Sequence, residues 1–363
     1  MEDSMTSGLD GVVAAETVLS DVDGEAGRLV IRGVPVEVLV AREGFEGAAA
    51  RLWQGFLPGD LDRAGATALL GRARVAAFAR LPKALAAGSD LAPVPGLRAA
   101  LATLSDIPGV PPAVAVTAAA PVFLAALIRH RDGRAPVAPD AAAGTAADLL
   151  RMMRGASGTP AEVAALDAYL TTVCDHGFNA STFTARVVAS TQAGIVPSVV
   201  AALGALEGPL HGGAPGPVLD MLDGIGGLAN IAPWLEERLA SGERLMGFGH
   251  RVYRVRDPRA DVLKGAVRTL ARDAGRIAFA ETVEREALSI LARIKPGRRL
   301  DTNVEFYTAL LLEALAIPRD AFTAVFAVGR MAGWTAHALE QARDGRLIRP
   351  LSRYVGPVPA EAA

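Results

Sequence analysis

The chain has a single cysteine, Cys174, in 363 residues. One thiol excludes an intramolecular disulfide framework and suits a reducing compartment. An excess of charge of one sign is also missing. The 37 Lys and Arg residues face 39 Asp and Glu, a formal charge of −2 with no basic stripe, so no polyanionic partner is implied. No apolar run reaches the length of a bilayer span. The longest, residues 113–128, is alanine-rich and interrupted by Pro121, and it reads as a buried helix. The opening residues MEDSMTSGLD are acidic where a signal peptide needs a basic start, and a cytoplasmic location is expected. There is no fixed-period repeat, no heptad pattern and no alternation of strand and helix for a parallel sheet.

What is present is apolar material in helical spacing. Apolar residues make up 51% of the chain, ample for a sizeable core in two or three domains, or in one large domain with an appendage. GRLVIRG (27–33), entered through Asp23-Gly24, is a short strand candidate. GFEGAAARLWQGFL, DLLRMMRGA, TPAEVAALDAYLTTVCD, STFTARVVASTQA and VPSVVAALGALEG read as helices separated by Pro and Gly, with Ser181 and Thr182 as expected N-caps. Residues 129–146 read as a loop.

Histidine is scarce, with five in the chain, and two sit at backbone corners. His211, in GPLHGGAPG, follows a helix ending near Gly208 and precedes one expected to start around Pro215 to Pro217. A nearby positive helix end keeps an imidazole neutral and able to donate to an oxygen that is gaining charge. Gly212 and Gly213 would let a ligand approach the backbone. The plainer alternative is a histidine that caps a helix. His250, in GFGHRVYRVRDPRAD, precedes a helix with Asp257 as N-cap and Pro258 as first residue, which puts Arg259 in the first turn. A cation there opposes the helix dipole and calls for an anion, either a ligand's carboxylate or an ion pair with Asp257 or Asp261.

Glu305 lies in the first turn of DTNVEFYTALLLEALAIP, capped by Thr302 or Asn303, where a carboxylate is ordinary dipole compensation. Arg330 interrupts the apolar helix expected from Asp320 to Asp344-Gly345, so it must snorkel, pair internally or receive an anion. No pair of histidines has four-residue spacing, and Cys174 and His176 would face different ways on a helix, so no metal set is expected.

GPLHGGA, GFGHRVYRVRDPRA, NVEFYTALLLEALAIP and FAVGRMAGWTAHALEQ, in this order and spacing, resemble the citrate synthase family, which includes the 2-methylcitrate synthases. The resemblance extends to GLDGVVAAETVLSDVDGEAGRLVIRG, DHGFNASTFTARVVAST and GRLIRPLSRYVGP, nearly the whole chain. It implies a mainly α, two-domain helical fold with a short N-terminal β element. Residues 1–215 with 319–363 would form the large domain, and 216–318 the small domain on the CoA side that closes over the active site. It also implies a homodimer with shared active sites, and STFTARVVASTQA and VPSVVAALGALEG are expected at the interface.

The implied chemistry condenses acetyl-CoA with oxaloacetate and hydrolyses the resulting thioester, with the CoA thioester as co-substrate, no permanently bound cofactor and no metal. By the resemblance, His211 would hydrogen-bond the acyl carbonyl as it enolises, His250 would polarise and protonate the ketone, and Glu305 would remove the α-proton. His176, Arg259 and Arg330 would bind the oxo acid's carboxylates, and Arg349 would reach the neighbouring site across the dimer. Arg254, with Lys295, Arg298 and Arg299, would meet the CoA phosphates. The chain departs from the family in having Glu305 where aspartate is usual, HGGAPG after His211, Arg254 and Arg256 where Lys and Tyr are common, and Thr302 in place of a proline. Propionyl-CoA as the substrate, as in 2-methylcitrate synthase, and a catalytically weak CoA- or citrate-binding paralogue are the alternatives these departures leave open.

Overall fold

A hairpin opens the computed structural model, which describes residues 9, 11–211, 215–250, 252–270 and 274–356. β1 (Ser20–Asp23) pairs antiparallel with β2 (Arg28–Ile31), Ser20 opposite Ile31 and Asp23 opposite Arg28, and β2 pairs with β3 (Val34–Pro35). The strand expected at 27–33 is β2. Asp23 does not enter it but ends the strand before it, and its carboxylate accepts the Glu25 and Ala26 amides at 3.1 and 2.9 Å to form the turn.

The rest is helical: α1 (Val36–Arg42), α2 (Gly44–Trp53), α3 (Arg63–Phe78), α4 (Leu81–Gly88), α5 (Pro93–Ala102), α6 (Pro112–Arg131), α7 (Thr145–Arg154), α8 (Pro160–Thr172), α9 (Ala180–Ser190), α10 (Ile195–Leu206), α11 (Pro215–Ile225), α12 (Ile231–Ala240), α13 (Pro258–Thr269), α14 (Ala274–Ile294), α15 (Val304–Ala314) and α16 (Phe322–Asp344). Two helices organise the core. α6 is apolar all round and buried from Ala113 to Ile128, although Pro121 removes one of its internal hydrogen bonds. Among the described residues it alone is long and apolar enough to cross a bilayer, and 89% of that stretch is packed inside the protein. α16 runs beside α6, α9 and α10, buried almost from end to end.

α13 and α15 pack against each other and both lean on α8. Local signals explain most boundaries. Thr159 and Glu162 form a reciprocal capping box on α8, Gly155 ends α7 in the left-handed conformation at φ 83°, and Asp257 caps α13. Three boundaries differ from expectation. α9 is capped by Asn179, whose Oδ1 accepts the Thr182 amide at 3.1 Å, not by Ser181 or Thr182. α16 begins at Phe322, after a 3-10 turn at Arg319–Ala321. The loop expected over 129–146 is shorter, because α6 continues to Arg131 and α7 starts at Thr145.

Candidate functional site

His176 lies on the loop 173–179 between α8 and α9, so Cys174 and His176 share a loop and not a helix. α16 supports this loop closely. The Gly333 amide donates to the Cys174 carbonyl at 3.0 Å, and a Cβ at Gly333 would overlap that carbonyl and stand 2.6 Å from Asp175 Oδ1. Asp175 also meets His337 of α16, with Nε2 3.2 Å from Oδ1. His337 follows Arg330 by seven residues, two turns along one face of the helix, so one face presents the arginine and braces the loop.

A backbone bridge joins the segments of His250 and Glu305. Phe248 pairs with Thr302, the Gly249 amide donates to Asp301 at 2.7 Å, and the Asn303 amide donates to Gly247 at 2.9 Å. Gly247 and Gly249 have φ of 84° and 81°, and a Cβ on either would come within 2.9 Å of a neighbouring side chain, Phe306 or Leu300. Asn303 caps α15 by accepting the Glu305 amide, and its Nδ2 donates to the Gly249 carbonyl at 2.8 Å. Of the two expected caps, Thr302 instead donates to Glu284 at 2.7 Å.

Hydrogen bonds fix the proton positions on two imidazoles. His250 Nδ1 accepts the Val252 and Tyr253 amides, both at 3.0 Å. Amides only donate, so the ring's proton sits on Nε2. His211 Nε2 accepts the Ser181 amide at 3.2 Å with Ser181 Oγ 2.7 Å away, which leaves the proton on Nδ1. A positive helix end that meets His211 is therefore that of α9. Gly212 and Gly213 lie outside the described residues. Burial, with Arg330 adding, pushes His211 down to about 4. Burial and Arg259 push His250 down to about 4, against the pull of Asp257. His176 is also held well below its ordinary value, by burial first and then by Arg259 and Arg330. Its ring stands edge-on to His250 with centroids 5.6 Å apart, and its Nε2 is 3.2 Å from Tyr253 Oη. At neutral pH all three rings are uncharged.

Two buried arginines supply the positive charge. Arg259 is paired with Asp257 through Nε at 3.0 Å and Nη2 at 2.8 Å, the internal alternative weighed above, while Asp261 pairs with Arg256. Asp257 Oδ2 also accepts the Val304 amide at 3.2 Å, joining the starts of α13 and α15. Arg330 has no such carboxylate among the described residues. Its Nε donates to the Val173 carbonyl at 2.6 Å and its guanidinium lies over Phe326. Burial brings it down to about 10 despite the pull of Asp175, the signature of a cation short of counter-charge.

Glu305 keeps a small exposed surface, but its Oε2 is shut off from solvent and has no hydrogen-bond partner among the described residues. Burial raises the carboxyl to about 7, with Asp257 adding and Arg259 and Arg330 opposing. A buried carboxyl near 7 beside neutral imidazole donors is equipped to take a proton from a weak carbon acid.

The other cations stand apart. Arg254, Arg298, Arg299 and Arg349 are exposed and Lys295 is half-buried, and among the described residues none hydrogen-bonds to the histidine cluster. Arg349 borders a groove with the segment 14–18 and the end of α16. Sequence reasoning missed Tyr253, Asp175 and His337, and read Ser181 only as a cap. The available signals were Tyr253's place three residues after His250, Asp175's next to His176 and His337's on the face of Arg330. Asp257 was read as a cap and as one of two possible partners of Arg259, but not as the link to α15.

The family model described as citrate synthase, C-terminal domain, matches residues 8–351. A Mycobacterium tuberculosis protein named putative citrate synthase 2 is 39% identical, covering 98% of this chain and 94% of its own. A 2-methylcitrate synthase from the same species is 37% identical, over 96% and 90%. A solved citrate synthase from Thermoplasma acidophilum, in ternary complex with carboxymethyl coenzyme A and oxaloacetate, is 26% identical with a TM-score of 0.86, covering 98% of this chain and 97% of its own.

Proposed function

Because this chain belongs to the citrate synthase family of acyltransferases, we propose that it condenses acetyl-CoA with oxaloacetate and hydrolyses the citryl thioester where the histidine loops meet the starts of α13 and α15 and the Arg330 face of α16. Glu305 takes a proton from the thioester's α-carbon. His211 donates from Nδ1 to the thioester oxygen as the enolate forms, and its charge-sensitive ring stays neutral. The carbanion attacks the ketone carbon, and His250 donates from Nε2 to the ketone oxygen. Arg259 Nη2 lies 3.3 Å from that Nε2; two donors cannot bond each other, and a ketone or carboxylate oxygen between them satisfies both. Arg330 and His176, with Arg259, receive the oxo acid's carboxylates. Water then cleaves the C–S bond and releases the thiol.

The observation that carries this reading is that backbone amides occupy His211 Nε2 and His250 Nδ1, so each ring presents a proton on its other nitrogen, while Glu305 Oε2 is buried with no hydrogen-bond partner among the described residues: one base, two neutral donors. Residues 1–215 with 319–363 then form the larger domain and 216–318 the smaller one. The family's homodimer buries α9 and α10, and Arg349 belongs to the neighbouring site. Arg254, Lys295, Arg298 and Arg299 are assigned to CoA phosphates. The similarity to a 2-methylcitrate synthase supports propionyl-CoA as the second reading.

The test is thiol release from acetyl-CoA and from propionyl-CoA with oxaloacetate, repeated with Glu305→Asp. Acetyl-CoA is expected to give the higher kcat/KM, and the Asp variant to remain active. Faster turnover of propionyl-CoA selects the second reading. Binding of both substrates without thiol release refutes catalysis.

A further inference from the structure

The N-terminal hairpin grips two of the three loops that carry the imidazoles, those of His176 and His250. Ser20 Oγ donates to Asp175 Oδ2 and accepts the Gly177 amide at 3.1 Å, so it holds the residues on either side of His176. At the far end of β1, the Gly24 carbonyl accepts the Arg254 amide at 2.8 Å. A Cβ at Gly24 would overlap the Val252 carbonyl oxygen, and one at Gly27 would lie 2.6 Å from Val255 Cγ2. These contacts flank Tyr253, whose hydroxyl meets His176 at 3.2 Å and whose amide holds His250 Nδ1 at 3.0 Å. The path from Ser20 to His176, Tyr253, Arg254, Gly24 and back along β1 is a closed ring.

We infer that β1 and its turn are a positioning element of the active site: Ser20 and Gly24 set the separation of the His176 and His250 loops, and with it the pocket for the 2-oxo acid. Among the described residues, the His176–Tyr253 contact is the one hydrogen bond running directly between loops 173–179 and 250–256. One side-chain bond leaves that spacing soft. The hairpin stiffens it by bonding to both loops and by packing a glycine where no side chain fits. The thioester side, centred on His211 and Glu305, makes no hydrogen bond to the hairpin among the described residues. The identity of the pocket's ligand rests on the function proposed above; the mechanical coupling does not.

Four variants test this: Gly24→Ala, Ser20→Ala, Ser20→Thr and Gly33→Ala. Gly33 has φ 81° and open space around its Cβ position, so its substitution strains the hairpin without touching either loop. Gly24→Ala must push the loop off by about 1 Å, and kcat/KM for oxaloacetate is expected to fall on the order of 10²-fold, with KM for acetyl-CoA within about twofold. Ser20→Ala follows the same pattern more weakly, and Ser20→Thr, which keeps the hydroxyl, restores it. Hydrogen–deuterium exchange reads the coupling without turnover: Gly24→Ala should raise exchange in 173–179 as well as in 250–256. Exchange confined to the hairpin and 250–256 overturns the inference, as does a kinetic loss that Gly33→Ala reproduces at equal loss of Tm. If the wild-type protein releases no thiol, the proposed activity fails while the exchange result still decides the coupling.

Discussion

Glu305→Gln should make the protein more stable and nearly inactive at the same time, because the same burial that tunes the proposed base opposes its charge. Burial and Asp257 lift the carboxyl from an ordinary 4.5 to about 7. A carboxyl raised on folding binds its proton more tightly in the native state, so stability is unimpaired below about 4.5 and declines as pH rises through about 7. The raised value therefore costs about 3 kcal/mol at pH 8.5, where the native carboxyl is ionised, and about 1 kcal/mol at pH 5, where only the unfolded chain is. Glutamine is neutral throughout, but its amide enters a position where Oε2 already lacks a partner, at a cost of about 1 kcal/mol. The net expectation is a variant about 2 kcal/mol more stable than wild type at pH 8.5 and indistinguishable from it at pH 5. Urea unfolding at the two pH values measures this. Thiol release should fall by about 10²- to 10⁴-fold. A stability gain that is absent, or equal at both pH values, would mean the carboxylate is solvated, and undiminished thiol release would place the base elsewhere.

Two further outcomes follow from the same electrostatics. The pH profile of kcat/KM should rise to a plateau with a midpoint near 7 as Glu305 ionises, with no second inflection near 6.5, because His211 and His250 are held near 4; an inflection near 6.5 that survives in Glu305→Gln would assign the titration to a histidine. Asp257→Asn keeps a capping oxygen but strips the charge from the buried Arg259 pair, so it should destabilise the fold by about 3–5 kcal/mol and move the profile's midpoint below 7, since Asp257 helps raise Glu305. A midpoint that stays put would show that burial alone sets it.

Much of the fold was legible because its signals are local. Apolar residues at helical spacing marked α2, α7, α8, α9 and α10. The Asp257-Pro258 start and the apolar length of 113–128 each follow from chemistry within a few residues. The proposed site was legible as a set of anomalies: a histidine at a corner, a cation at a helix start, an arginine in an apolar helix. Sequence spacing could not rank the alternatives for each, because the deciding partner is remote. Asp257, two residues away, did answer for Arg259, whereas the hydrogen-bond acceptor that Arg330 finds among the described residues is the Val173 carbonyl, 157 residues back in the chain. The helix end meeting His211 belongs to Ser181, 30 residues earlier. The value near 7 at Glu305 has no local signature at all, since an acidic residue in a first turn is ordinary until the walls around Oε2 exclude water. Composition and periodicity determined which helices form and which residues are unusual; only the packed chain decided which of those residues are desolvated, because desolvation is a property of everything that surrounds a group and not of its neighbours in sequence.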